Sequence, residues 1–156
     1  MTYNQVIKNL NNIADSHLQI NSFFYGYVED IATSGTIYYP MMSVTPTPAY
    51  FRDKALYLNF TIAFMDLVHK GGTNVQDVES DMLSVALDII SQLQSSEYGF
   101  MLDTNSPRLE PFRDKFADEV TGWSCDLILK LPIGFDRCQI PTNEITILSA
   151  VKKRST

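Results

Sequence analysis

The chain has little of what most enzyme chemistry is built from. Two histidines, His17 and His69, and two cysteines, Cys125 and Cys138, are all that 156 residues offer. His17 reads as a packed residue near a helix end and not as a metal ligand, because the other histidine, His69, has no Cys or Asp partner at ligand spacing; HExxH, CxxC and the DxDxDG calcium loop are absent, so no metal site is expected. There is no GxSxG elbow and no GxGxxG fingerprint, which leaves nucleophilic hydrolysis and dinucleotide binding without their usual local signatures. Gly71-Gly72 lacks the GxxxxGK[ST] spacing of a phosphate loop and reads as a turn. Two cysteines are too few for a disulfide scaffold; both are expected as thiols, Cys125 as a small buried hydrophobe in an apolar strand pattern. The sequence thus implies no catalytic residue, no metal and no cofactor.

Positive charge is also scarce. The net charge is −6 with a pI near 4.7. Lys152, Lys153 and Arg154 lie at the very end, so residues 1–151 hold nine bases against eighteen acids, a charge of −9. Such a body repels phosphate, and only the tail has the charge to approach it. No apolar run reaches the roughly 20 residues of a membrane span. The start, MTYNQVIKNL, lacks the basic and apolar blocks of a signal peptide, which predicts a protein that stays in the cytoplasm where it is made.

What is present is a hydrophobic pattern sufficient for one ordinary domain. Ala55 to Val68 alternates strictly: Leu56, Leu58, Phe60, Ile62, Phe64 and Val68 fall on one face, Tyr57, Asn59, Thr61, Ala63 and Met65 on the other. The apolar face needs a cover, and Val75 to Leu93 has the period and length to supply it, with Asn74 as N-cap. Val78, Met82, Val85, Ile89 and Leu93 form one stripe of this helix; Leu83, Leu87 and Ile90 form a second. Its remaining surface collects Asp77, Glu79, Asp81 and Asp88, either a solvated face or a contact for a basic partner. A first helix is expected after Thr2, with Tyr3, Val6, Leu10, Ile13 and His17 on its apolar side, Asn9, Asn11 and Asn12 facing water, and its end near Ser16.

Strands are expected over Gln19 to Ile31, over Thr36 to Val44 with Tyr39-Pro40 at a sheet edge, and over Trp123 to Leu131, with Trp123 anchoring the core from an edge. Thr45 to Ala49, with Pro46 and Pro48, reads as a loop or extended arm. Tyr50 and Phe51 after it make either a hairpin tip packed on itself or a contact for a neighbour. Phe112 to Val120 mixes charge and aromatics and reads as loop with a helical turn. The fold class that follows is α+β: a mostly antiparallel sheet with a long β-hairpin, covered on one face by two helices. Residues 1–141 form the domain, and 142–156 form an arm with a short apolar patch, Ile145, Ile147 and Leu148.

The element order, closing on Gly122-Trp123-Ser124-Cys125-Asp126 and Cys138-Gln139-Ile140-Pro141, resembles the neck and tail-terminator proteins of tailed bacteriophages. The likeness is specific in sequence only over Thr121 to Pro141. It implies a structural virion protein, assembled in the host cytoplasm, that forms a homo-oligomeric ring with other neck and tail proteins as partners. DNA would pass through in transit without tight binding, and no membrane would be involved. Pro46, Pro48, Tyr50, Phe51, Ile145, Ile147 and Leu148 are then the candidate subunit-interface residues, and Asp77, Glu79, Asp81 and Asp88 a candidate acidic surface. A rival of another class is a cytoplasmic enzyme or small-molecule-binding domain with its pocket between sheet and helix. A tail-tube or baseplate component is a third.

Overall fold

The computed structural model describes residues 1–33, 35–115, 118–132, 138, 140 and 141. It is an α+β fold with one mixed, mostly antiparallel sheet. The chain runs α1 (Tyr3–Ser16), β1 (Ser22–Tyr25), a 3-10 turn (Val28–Thr33), β2 (Met41–Pro46), β3 (Tyr50–Arg52) and β4 (Ala55–Leu67). It continues through α2 (Val75–Leu93), a second 3-10 turn (Ser96–Tyr98), β5 (Met101–Leu102), β6 (Arg108–Lys115) and β7 (Glu119–Pro132). The sheet order is β1-β2-β4-β7-β5, with β3 pairing β4 and β6 pairing β7; β1 and β2 are the parallel pair.

The centre is the ladder of β4 on β7, thirteen antiparallel pairs from Ala55 with Pro132 to Leu67 with Val120. The alternation read in the sequence holds: Leu58, Phe60, Ile62 and Phe64 are buried against the helices, together with Cys125, Leu127, Leu129 and Leu131 of β7. Val78, Met82, Val85, Ala86, Ile89 and Leu93 of α2 cover them, and Val6, Leu10, Ile13 and Ala14 of α1 complete the layer. The second stripe of α2 is divided: Ile90 packs against this core, Leu83 is partly buried and Leu87 is half exposed.

Helix α1 starts at a capping box. Thr2 Oγ1 accepts the Gln5 N–H at 3.2 Å and Gln5 Oε1 accepts the Thr2 N–H at 2.7 Å, which satisfies two donors of the first turn. Asn9 and Asn11 are half-buried instead of facing water, and Asn9 Nδ2 donates to the Tyr98 carbonyl at 3.1 Å. Asn74 stands at the N-cap of α2, but its side chain caps nothing. Its amide staples the loop before the helix, with Oδ1 accepting the His69 N–H at 2.6 Å and Nδ2 donating to the Leu67 carbonyl at 3.0 Å.

Several elements depart from the sequence reading. The strand expected over 19–31 is four residues long: Gly26 takes a φ of 143°, and the chain then winds into a 3-10 turn whose Ile31 is buried. The next strand begins after Pro40, not before it, and lies between β1 and β4, so the cis Tyr39-Pro40 bond is outside the sheet and not on its edge. The proline segment is strand only at its start: Thr45 and Pro46 close β2, while Thr47 to Ala49 belong to no strand. β2 pairs with β4 as far as Pro46 opposite Phe60, and β3 resumes with Tyr50 opposite Tyr57, so three residues face two across a bulge. A two-residue turn then closes the hairpin, with Asp53 and Lys54 both at positive φ, 52° and 60°. Most of the segment read as a loop from Phe112 onward belongs to β6 and the start of β7. β6 is exposed along most of its length, which erases the hydrophobic alternation by which a strand is recognised. Trp123, finally, is on a central strand, opposite both Phe64 and Pro111.

Candidate interaction surface

The helices cover one face of the sheet, and the other face is covered only in part. Toward the Leu67 end, Ile31 of the first 3-10 turn joins Met41, Met65 and Val120 in a small second core, flanked by Phe24, Ile37, Tyr39, Ala63 and Phe112. The rest of the outer face is open and polar. Paired residues in an antiparallel ladder share a face, so Thr45, Thr61, Asp126 and Arg108 make one row across it. Ser43, Ala63, Ser124 and Glu110 make the next. Thr61 Oγ1 donates to Asp126 Oδ1 at 2.6 Å, Arg108 meets Glu110 at 2.9 Å, and Thr45 Oγ1 donates to the Gly26 carbonyl at 3.0 Å.

Two hollows open on this face and share Thr61. The larger, about 510 Å³, lies over the bulge between Thr47, Pro48, Asn59, Ser106 and Asp126. Asn59 holds the bulge by donating Nδ2 to the Pro48 carbonyl at 2.9 Å, while its Oδ1 is buried with no hydrogen-bond partner. The smaller, about 170 Å³, is a cup floored by Ser43, Ala63 and Ser124 and walled by Val28, Met65, Phe112 and Asp114. Ser43 is 1% exposed and its Oγ has no hydrogen-bond partner.

The interface residues anticipated on the hairpin are brought to one end of the sheet. Pro46 closes β2 and Pro48 sits exposed on the bulge. Tyr50, 41% exposed, stacks on Tyr57 at 4.9 Å between ring centroids, and Phe51 is 54% exposed beside it. Lys130 Nζ stands 5.9 Å over the Tyr57 ring, so the tip is aromatic with a cationic border. Ile145, Ile147 and Leu148 lie outside the described residues. On α2, Asp77, Asp81 and Asp88 are exposed on a common stripe. Glu79 points elsewhere: its backbone carbonyl accepts the Trp123 indole N–H at 2.8 Å, and its carboxylate lies 3.4 Å from Thr121 Oγ1.

One arrangement has the look of catalytic machinery. His17 Nε2 lies 2.9 Å from Asp88 Oδ2, and Ser91 and Ser95 line the same open hollow. The hydrogen bonds give it a structural role. His17 is the C-cap of α1 and its Nδ1 accepts the Gln19 N–H at 3.1 Å, so the ring proton belongs on Nε2 and faces Asp88. Ser91 Oγ donates to the Leu87 carbonyl, which turns its proton away from His17, and Ser95 Oγ accepts the Glu97 N–H beside the second 3-10 turn. The pair ties α1 to α2. His17 is therefore a largely buried residue at the helix end, as expected, and has a polar partner besides.

Cys125 is buried, and burial pushes its thiol up to about 11. Tyr39, whose hydroxyl donates to Asp118 Oδ2 at 3.1 Å, is likewise pushed up by burial and then by that carboxylate, to about 12. Among the described residues no three His, Cys, Asp or Glu side chains are grouped to hold a metal ion, and no helix is long and apolar enough to cross a membrane. Sequence reasoning missed the cup, because its parts come from β2, β4, β6, β7 and the first 3-10 turn, and two of those five were read as something else. No protein-family model matches this chain, and no curated protein matches it either.

Proposed function

We propose that this chain is a structural virion protein of a tailed bacteriophage, one that closes into a ring at the neck or tail end through which DNA passes. The observation that carries the reading is the hairpin. β1 stops opposite Val44, so the hairpin beyond it runs on without that neighbour and ends in Tyr50, Phe51, Arg52 and Lys54, an exposed aromatic and charged tip suited to a second subunit. Three further features support it. The body's charge of −9 keeps phosphate from sticking in a lumen. The resemblance to terminator-type proteins spans the element order. The rival's location for a pocket, between sheet and helices, is filled by Phe60, Phe64, Phe100, Met82 and Leu129.

The basic Lys152 to Arg154 end, a charge that a smooth lumen would not want, lies outside the described residues. Light scattering on the eluting full chain, with negative-stain images of the same fractions, tests the ring reading. Rings of one size are expected. Open tubes would favour the tail-tube alternative, and a monomer at every concentration would refute ring formation.

A further inference from the structure

The two ends of the central hairpin carry opposite charge. Arg52 precedes the turn and Lys54 is part of it, with Lys130 two rungs away on β7 and Asp53 the acid among them; the Arg52–Asp53 contact, at 3.5 Å between two exposed side chains, does little to neutralise the tip. At the other end the cup has Asp114 in its wall and Val28 opening the turn that bears exposed Glu29 and Asp30. Asp66 and exposed Asp118 act together on Tyr39 nearby. Among the described bases of β6, Arg113 is paired with Glu119 at 2.6 Å and Arg108 with Glu110, which leaves Lys115. The cup also has an independent mark of an absent partner, the buried Ser43 hydroxyl without a hydrogen bond on its floor.

We propose that the hairpin tip of one copy, Tyr50 to Lys54, seats on this cup of a second copy. A cavity of about 150 Å³ holds a benzene ring, so the 170 Å³ cup takes one aromatic side chain. Released from its stack on Tyr57, Tyr50 offers what the cup lacks: a ring for Ala63, Met65 and Phe112, and a hydroxyl to donate to Ser43 Oγ. Arg52 and Lys54 then face Asp114, Glu29 and Asp30. The tip cannot fill its own cup. Tyr50 is laddered to Tyr57, and Ala63 lies six residues further along β4, about 20 Å away along a rigid strand.

The contact joins two different surfaces, so repeating it builds a head-to-tail series that closes where the rotation allows. This inference rests on the ring reading and names the contact that makes the ring. A five-residue tip buries less than the roughly 800 Å² per partner of a standard interface, so a single contact is weak and closure makes assembly steep in concentration.

The test is sedimentation velocity of the full chain over a concentration series, for wild type, for R52E/K54E, for D30K/D114K, and for the protein carrying all four changes. All four positions are exposed, and thermal melting checks that each variant folds as wild type does. Each reversal alone is expected to raise the concentration of half-assembly about tenfold or more, and the fourfold change to bring it back toward wild type. Raising salt from about 0.1 M to about 1 M should weaken wild-type assembly in the same direction. If wild type assembles but reversal leaves it unchanged, or the fourfold variant is no better than the single reversals, the tip-to-cup contact is overturned and ring formation stands. If wild type is monomeric throughout, ring formation falls and this contact with it.

Discussion

Replacing Gly122 by alanine asks whether the β4–β7 ladder has the close backbone approach that the structure gives it. A Cβ built on Gly122 would lie 1.8 Å from the Phe64 carbonyl oxygen, 2.9 Å from its carbon and 3.0 Å from the Met65 Cα. These are backbone atoms of the neighbouring central strand, which no rotamer change can move aside. Relief requires the two strands to part by more than about 1 Å at the middle of the sheet, stretching adjacent ladder bonds. Overpacking of this sort costs about 1–3 kcal/mol, and each ladder bond weakened adds about 1 kcal/mol. A total of about 3–5 kcal/mol is a large share of the 5–15 kcal/mol of a typical domain. At about 2–4 °C per kcal/mol for a chain of this size, the melting temperature should fall by about 6–20 °C. Urea unfolding of Gly122→Ala beside Ser124→Ala measures it. Ser124 is on the same strand and face with its hydroxyl in the open cup, so its truncation should stay within about 0.5 kcal/mol. If Gly122→Ala melts with wild type, the close approach is not there and the tightness of the central ladder has been misjudged.

Other expectations follow from single contacts. Thr2→Ala removes one half of the capping box and should cost about 1 kcal/mol by denaturant midpoint, with the helical signal in circular dichroism otherwise kept. Trp123→Phe keeps the ring but loses the bond to the Glu79 carbonyl, for about 1 kcal/mol, and Trp123→Ala should cost several times more; equal losses would show that the indole N–H is the whole contribution. Cys138 is exposed and Cys125 is not, so a thiol reagent near pH 8 should titrate one group in the native protein and two after unfolding. Because burial raises the Cys125 thiol from 9.0 to about 11, the unfolded chain gives up that proton first, and stability should decline as pH rises from 9 toward 11; a flat profile for wild type relative to Cys125→Ala would contradict it.

The parts of the fold legible in the sequence were those where one face is oil and the other water. β4 shows a period of two from Tyr57 to Phe64, before Met65 turns to the second core, and α2 shows a period of 3.6 from Val75 to Leu93, because burial on one side imposes the pattern. β6 escaped because it is a strand with little buried face; its Arg, Glu, Asp and Lys side chains carry no period. Pro46 and Pro48 were read as breakers, yet a proline at a strand end and another on a bulge lose no ladder bond. The hairpin's role as a projecting tip was half visible, in the exposed aromatics. Its turn was not, since Asp53-Lys54 lacks the glycine that normally marks two residues at positive φ. The cup could not be read at all. It exists only after five elements distant in the chain have come together.

The same ladder that Gly122 tightens also sets the order of folding events. Helix α1 and the β3–β4 turn need only near neighbours and can form within microseconds. β4 and β7 are different: Leu67 meets Val120 and Ala55 meets Pro132, so each rung closes a loop of more than about fifty residues. The hairpin from Met41 to Leu67 must therefore wait, one edge bare and apolar, until α2, β5 and β6 have been laid out and β7 arrives to zip along it. High contact order of this kind makes folding slow. During that wait the bare edge of β4 is the place where another chain can pair wrongly, so the yield of usable subunits is governed by how fast β7 docks.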